Sequence, residues 1–296
     1  MDCQEKMIIF VAQILKAIHN KDYSVVKTFK AGFAARLFLT KTNITMIFLE
    51  KLHLPFAERR VYPYRTLCPK MLDAITFAPV TIFYGNNGSG KSTLLNVIAQ
   101  TIKIQHKTLG NSSFFFNEFV EKCAFQLTER NGREMKIPSQ SRLIRSEDIA
   151  EGIVNLRKST EKAEQKILSA QDGTQQLFAW QAHNETPEQF SNGETAIALF
   201  ESIFEPDTLY LLDEPENSLS PNMQLVLKEL VEKYAQLLNC QFVIASHSPF
   251  ILATDNARIY NLDRQPADVC SWQELENIQT YWRFFKQKEK LLCEKW

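Results

Sequence analysis

Residues 75–100, ITFAPVTIFYGNNGSGKSTLLNVIAQ, constrain this chain more than any other segment. An apolar run breaks into glycines and then resumes as apolar residues at helical spacing. Before the break, Val80–Tyr84 is β-branched and aromatic, which predicts a buried strand. After it, Leu94, Leu95, Val97, Ile98 and Ile102 recur at the period of a helix. The break itself, Gly85-Asn86-Asn87-Gly88-Ser89-Gly90-Lys91-Ser92, satisfies G-x-x-x-x-G-K-[ST]. Glycines let such a loop curl until several backbone N–H groups converge, and the positive end of the following helix adds to them. An anion is the expected occupant. Lys91 is expected to reach the β- and γ-phosphates of a nucleotide and Ser92 to coordinate Mg²⁺, with Thr93 completing the candidate binding set. The alternative is a glycine-rich turn with an exposed lysine, and the strand and helix on the two sides of the loop argue against it.

A phosphate loop binds nucleotide but needs further groups to cleave it. DTLYLLDEPENSLS (207–220) contains a short apolar run ending in Asp213-Glu214, as a parallel strand delivers carboxylates at its C-terminal edge. Asp213 is the candidate metal ligand, and Glu214 the group that orients and deprotonates an attacking water. CQFVIASHSPFIL (240–252) repeats the pattern of an apolar strand followed by a polar switch. Its His247 is either a sensor of the γ-phosphate or a strand-end histidine bonded to backbone, and the company of two phosphate-handling strands favours the sensor.

FSNGETAIALF (190–200) stands about a hundred residues after Lys91. Ser191 with Glu194 three residues later, ahead of an apolar helical pattern, reads as a capping box. The same arrangement aims a hydroxyl, the Gly193 N–H and a helix N-terminus at one point, which makes a second anion site without a lysine. The order of phosphate loop, Ser-x-Gly-Glu helix start, LLDEP, SLS and ASH resembles the ATP-binding-cassette ATPases, most closely their soluble SMC and RecF-type branch and the small AAA-annotated ATPases related to it. The resemblance covers roughly residues 75–100 and 186–263. It implies an α/β P-loop fold with a mixed sheet, flanking helices and a small helical subdomain. It also implies ATP and Mg²⁺ as ligands, ATP hydrolysis, and head-to-tail homodimers in which Ser191, Asn192, Gly193 and Glu194 complete the partner's site. Ser218 to Ser220 match the segment that crosses the dimer interface. FSNGE replaces the transporter-like LSGGQ, and SLS replaces SALD. Gln140 and Gln126 are the candidates for a glutamine loop. Tyr62 and Tyr64 could stack on adenine, with ordinary packing as the alternative.

The remaining chain carries fewer signals. MIFLEKLHLPF (46–56) suits the first strand of the ATPase domain, expected over 46–296. Residues 1–45, an N-terminal extension with seven basic and three acidic side chains, carry no motif, and Met1 and Met46 are alternative starts. A polar, helix-prone insertion over about 146–185 is too short for a long DNA-clamping arm, since a helix of ~30 residues reaches only about 45 Å. In the tail (271–296), Trp272, Leu275, Ile278, Tyr281, Trp282 and Phe285 fall near helical spacing and are expected to dock on the body.

Composition narrows the function classes. Lys plus Arg and Asp plus Glu both number 34, so there is no overall basic footprint for nucleic acid. The six cysteines show no metal-ligand spacing and suit a reducing, cytoplasmic setting. The apolar stretch MIIFVAQILKAI is interrupted by Gln13 and Lys16 and falls short of the ~20 residues a membrane span requires. The expectation is an ATPase switch serving nucleic-acid repair or defence, with nucleic acid or a nuclease as partner. The energising subunit of a membrane transporter, or a nucleotide-binding module without turnover, are the alternatives.

Overall fold

The computed structural model describes residues 46–104, 113–130, 132–168, 192–217 and 219–293. The N-terminal extension, Ser191, Ser218 and the second half of the expected insertion lie outside the described residues.

The chain divides into two units, one of residues 45–145, 206–217 and 227–296, the other including 146–205 and 218–226. In the first, six strands form one sheet: β3 (Val80–Tyr84), β7 (Arg142–Arg145), β8 (Leu209–Asp213), β9 (Gln241–Ala245), β10 (Arg258–Asn261) and β11 (Asp268–Cys270). Their order is β11-β10-β3-β9-β8-β7. From β10 to β7 every pair is parallel, and β11 joins the edge antiparallel. β3, β8 and β9 are buried at all five positions, which explains why each reads as an unbroken apolar run rather than an alternating one.

The strand expected within 46–56 is β1 (Leu49–His53), and it belongs to a separate three-stranded antiparallel sheet between β2 (Ala74–Thr76) and β4 (Ala124–Leu127). A register shift between Leu49 and Lys51 interrupts the alternation, and Leu49 and Leu52, three residues apart, are both fully buried. Gln126 lies on β4 opposite Lys51, and Gln140 lies in the turn before β7. Gln241, at the start of β9, ties the two sheets together. Its Oε1 accepts from the N–H groups of Phe48 and Leu49, and its Nε2 donates to the carbonyls of Leu49 and Ala78, all within 3.3 Å. Around this joint, α1 (Tyr64–Leu67), α2 (Lys91–Thr101) and α3 (Phe114–Glu121) share one apolar core with both sheets. Tyr64 is fully buried edge-on against Phe119, and Tyr62 stacks on Phe116 with ring centres 5.7 Å apart. Packing fully occupies Tyr64, whereas Tyr62 is half-buried.

The second unit contains α4 (Ser146–Leu168) and α5 (Asn192–Ile203). They meet where Gly152 leaves room for Leu199, whose Cδ1 would stand 3.2 Å from a β-carbon on the glycine. The 23 residues of α4 make a rod of about 35 Å.

The tail departs from expectation. It forms a 3₁₀ turn and α8 (Glu276–Cys293), but only its beginning docks: Leu275 and Ile278 are buried, while Tyr281, Trp282, Phe284 and Phe285 are 46 to 63% exposed. Successive helical residues are turned by about 100°, so these four rings spread over nearly half the circumference of the helix.

Burial also settles the cysteines. The thiols of Cys123 and Cys240 are pushed up to about 12 by their apolar surroundings, so both stay protonated and unreactive at neutral pH. Replacing Gln241 with Leu should orphan the N–H groups of Phe48 and Leu49 and cost about 3 kcal/mol. Denaturant unfolding monitored by tryptophan fluorescence checks this; an unchanged midpoint would deny the joint its role.

Candidate functional site

The parallel register aligns three strand ends. Ala245 of β9 stands opposite Phe83 on one side and Asp213 on the other, so the segments leaving β3, β8 and β9 emerge side by side. Two backbone bonds extend the alignment past the strands: the Ser246 N–H donates to the Phe83 carbonyl, and the Glu214 N–H donates to the Ala245 carbonyl.

From β3 the chain enters the glycine loop. Gly88 and Gly90 take left-handed backbone angles, φ +83° and +102°, which side chains disfavour. Gly85 is required for a different reason: a β-carbon there would come within 2.5 Å of Ser89 Oγ and 3.1 Å of Asp263 Oδ1. Asn86, Asn87, Gly88 and Ser92 are exposed, while Ser89, Gly90 and Lys91 are buried. Thr93 is half-buried one position further along α2. The Lys91 ammonium donates to the carbonyls of Gly85 (2.7 Å) and Asn86 (3.3 Å), which holds it under the loop with its charge toward the loop interior. Asp263, just beyond β10, accepts the Asn86 N–H with both carboxylate oxygens and pins the loop from the opposite side.

From β8 come two carboxylates with different tasks. Asp213 is nearly buried, and its Oδ1 accepts from Ser92 Oγ at 2.9 Å. Glu214 follows in a left-handed conformation, φ +48°, a form that costs a non-glycine residue about 1–3 kcal/mol and collects at functional sites. The twist directs its side chain back over the loop. Glu214 Oε1 lies 3.9 Å from Lys91 Nζ and 3.9 Å from His247 Nδ1, and Oε2 accepts from Asn217 Nδ2 at 3.0 Å. From β9 comes His247, its side chain about half exposed.

Lys91, Ser92, Asp213, Glu214 and His247, chosen from three separated stretches of sequence, therefore meet in one unit. The loop that opens outward, the inward-turned glycine conformations and the buried ammonium suit a polyphosphate. Ser92 Oγ and Asp213 Oδ1 are adjacent hard oxygens of the kind Mg²⁺ takes. Among the described residues no three His, Cys, Asp or Glu side chains gather to hold a metal by themselves.

The signature residues belong to the other unit. Ser191 lies outside the described residues, and α5 begins at Asn192. Gly193 is buried, and a β-carbon on it would come 2.8 Å from Met223 Cγ; Glu194 is half-buried. Of the crossing segment, Ser220 caps α6 (Pro221–Leu237), its Oγ accepting from the Met223 N–H at 3.4 Å.

Three residues of this neighbourhood were not singled out in the sequence. Glu216 lies two places beyond Glu214 with its carboxylate buried, and Asp263 follows strand β10 two residues after its end, as a carboxylate at the same edge of the sheet. Its position just past a strand was a usable signal for Asp263. Asn277, which donates to the His247 carbonyl at 2.9 Å, had no local signal because only tertiary docking brings it there.

A protein-family profile described as "AAA domain, putative AbiEii toxin, Type IV TA system" matches residues 140–253. The zinc import ATP-binding protein ZnuC of Pasteurella multocida is 24% identical over 245 residues, 82% of this chain and 80% of that protein. The tungstate uptake system ATP-binding protein TupC of Campylobacter jejuni is 23% identical, over 73% of this chain and 67% of its own length. The SMC head domain from Thermotoga maritima aligns at a TM-score of 0.38 and 15% identity, over 76% of this chain and 99% of that domain. With the strand order and converging motifs above, the family profile and the curated relatives support an ATP-binding-cassette type ATPase, an enzyme that binds and hydrolyses ATP.

Gly85→Ala should force the loop open and cost about 1–3 kcal/mol in ATP affinity, the usual penalty of overpacking. Titration with a fluorescent ATP analogue reads it, and wild-type affinity would overturn the role given to the loop.

Proposed function

We propose that Mg²⁺-dependent ATP hydrolysis in this chain drives and then releases a head-to-tail homodimer that acts as a switch. The observation that carries the reading is the meeting of Lys91, the Ser92–Asp213 pair, Glu214 and His247 at three adjacent strand ends. Lys91 and the N–H groups from Gly85 to Ser92 bind the phosphates. Ser92 and Asp213 would hold Mg²⁺, which would neutralise charge developing on the phosphate oxygens. Glu214 takes the proton of the attacking water, and the backbone strain behind it fixes its aim. His247 touches the γ-phosphate and registers its loss.

In this reading Ser191, Gly193 and Glu194 of a second copy close the site. The helix start and the Ser-x-Gly-Glu order support that assignment.

The process served is repair of DNA or defence against foreign DNA. FSNGE in place of a transporter-like signature and the toxin-system description of the matching family support it. The names of the curated relatives support a second reading, the nucleotide-binding subunit of a membrane importer. No helix among the described residues is long and apolar enough to cross a membrane, so that role would need a separate membrane subunit.

Glu214→Gln should retain ATP binding, lower the hydrolysis rate about 10²–10⁴-fold, and accumulate an ATP-held dimer on a sizing column. A variant that stays monomeric under saturating ATP and Mg²⁺ would refute the dimer. The same column run with duplex DNA, set beside co-purification with membranes, separates the two processes.

A further inference from the structure

Among the described residues the ring of His247 has no short bond that fixes it. Its Nδ1 stands 3.9 Å from Glu214 and 3.8 Å from Glu216, too far for hydrogen bonds. The main chain of the residue, in contrast, is held on both sides. Its N–H donates to Glu216 Oε1 at 3.0 Å, and its carbonyl accepts from Asn277 Nδ2 at 2.9 Å.

Each holder is itself fixed. Glu216 is 5% exposed, and its single Oε1 also accepts from Ser246 Oγ (2.7 Å) and the Ser248 N–H (3.2 Å). Three donors from consecutive residues therefore converge on one oxygen, while Oε2 is buried with no partner among the described residues. A buried carboxylate is costly, and a neutral acceptor could stabilise the turn with less desolvation. What Glu216 adds is a rigid link between the segment carrying Glu214 and the segment carrying His247. Asn277 supplies the complementary link. Its own N–H donates to the hydroxyl of Tyr84, the last residue before Gly85, and its Oδ1 accepts the Ile278 N–H at 2.8 Å. One asparagine thus joins the strand that enters the phosphate loop to the switch histidine.

We propose that Glu216 and Asn277 are positioning residues for ATP hydrolysis, gripping the two peptide groups of His247 so that its ring meets the γ-phosphate in one place. The proposal rests on the assignment of His247 to that phosphate. Displacing a reacting or sensing group by about 1 Å can cost on the order of a hundredfold in rate. Glu216→Ala and Asn277→Ala should each lower kcat about ten- to a hundredfold with KM for ATP nearly unchanged. Glu216→Gln, which keeps an acceptor in the same place, should recover most of the loss.

The deciding measurement is a double-mutant cycle on the full chain, with Tm recorded for every variant. In a His247→Ala background, Glu216→Ala and Asn277→Ala should cost little more, because the group they position is gone. A His247→Ala enzyme that is slow, together with additive losses or unaffected kcat in the other two, overturns the positioning role alone. A His247→Ala enzyme with wild-type kcat overturns the assignment beneath it as well. Asn277 is only half-buried, so its variant keeps the test open if Glu216→Ala fails to fold.

Discussion

Parallel pairing is the constraint on which the rest depends. In an antiparallel sheet neighbouring strands end at opposite edges, whereas here β3, β9 and β8 run the same way in register and finish together. Chemistry that needs an ammonium, two carboxylates and an imidazole within a few ångströms then follows from placing each just past an apolar run. The hydrogen bond from Ser92 to Asp213 is the shortest expression of this. It joins residues 121 positions apart in sequence across the edge of the sheet.

The energetics divide the site into fixed and adjustable parts. Lys91, Asp213 and Glu216 are nearly buried and bonded to specific partners, Glu216 through three donors on one of its oxygens, so they change position only at considerable cost. Glu214 and His247 are more exposed: the His247 ring meets its carboxylate neighbours only at 3.8 to 3.9 Å, and Glu214 is held by one short side-chain bond, from Asn217 at 3.0 Å. The groups proposed to hold the nucleotide are therefore set into the core, and those proposed to act on the terminal phosphate rest on it.

What the sequence revealed follows the same physics. Val80–Tyr84, Leu209–Asp213 and Gln241–Ala245 were legible as strands because burial on both faces requires continuous apolar runs, and the polar residues after each run were legible as site residues for the same reason. The glycine motif was legible because steric requirements leave few alternatives. The separate three-stranded sheet was not, since nothing local distinguishes a strand of one sheet from a strand of another, and the Gln241 joint is visible only in three dimensions. The contribution of Asn277 was hidden in the same way. The packing of Tyr281, Trp282, Phe284 and Phe285 was misjudged because helical spacing shows that residues share a helix but not that a surface exists to receive them.

Helix α8 has one more mechanical property. Its 18 residues make a stiff rod of about 27 Å, secured at the root through Asn277 to the Tyr84 hydroxyl and the His247 carbonyl and about half exposed along its aromatic stretch. A rod fixed at one end converts any sideways load on the other into leverage at the fixture. The nucleotide site thus has a handle on the outside of the molecule.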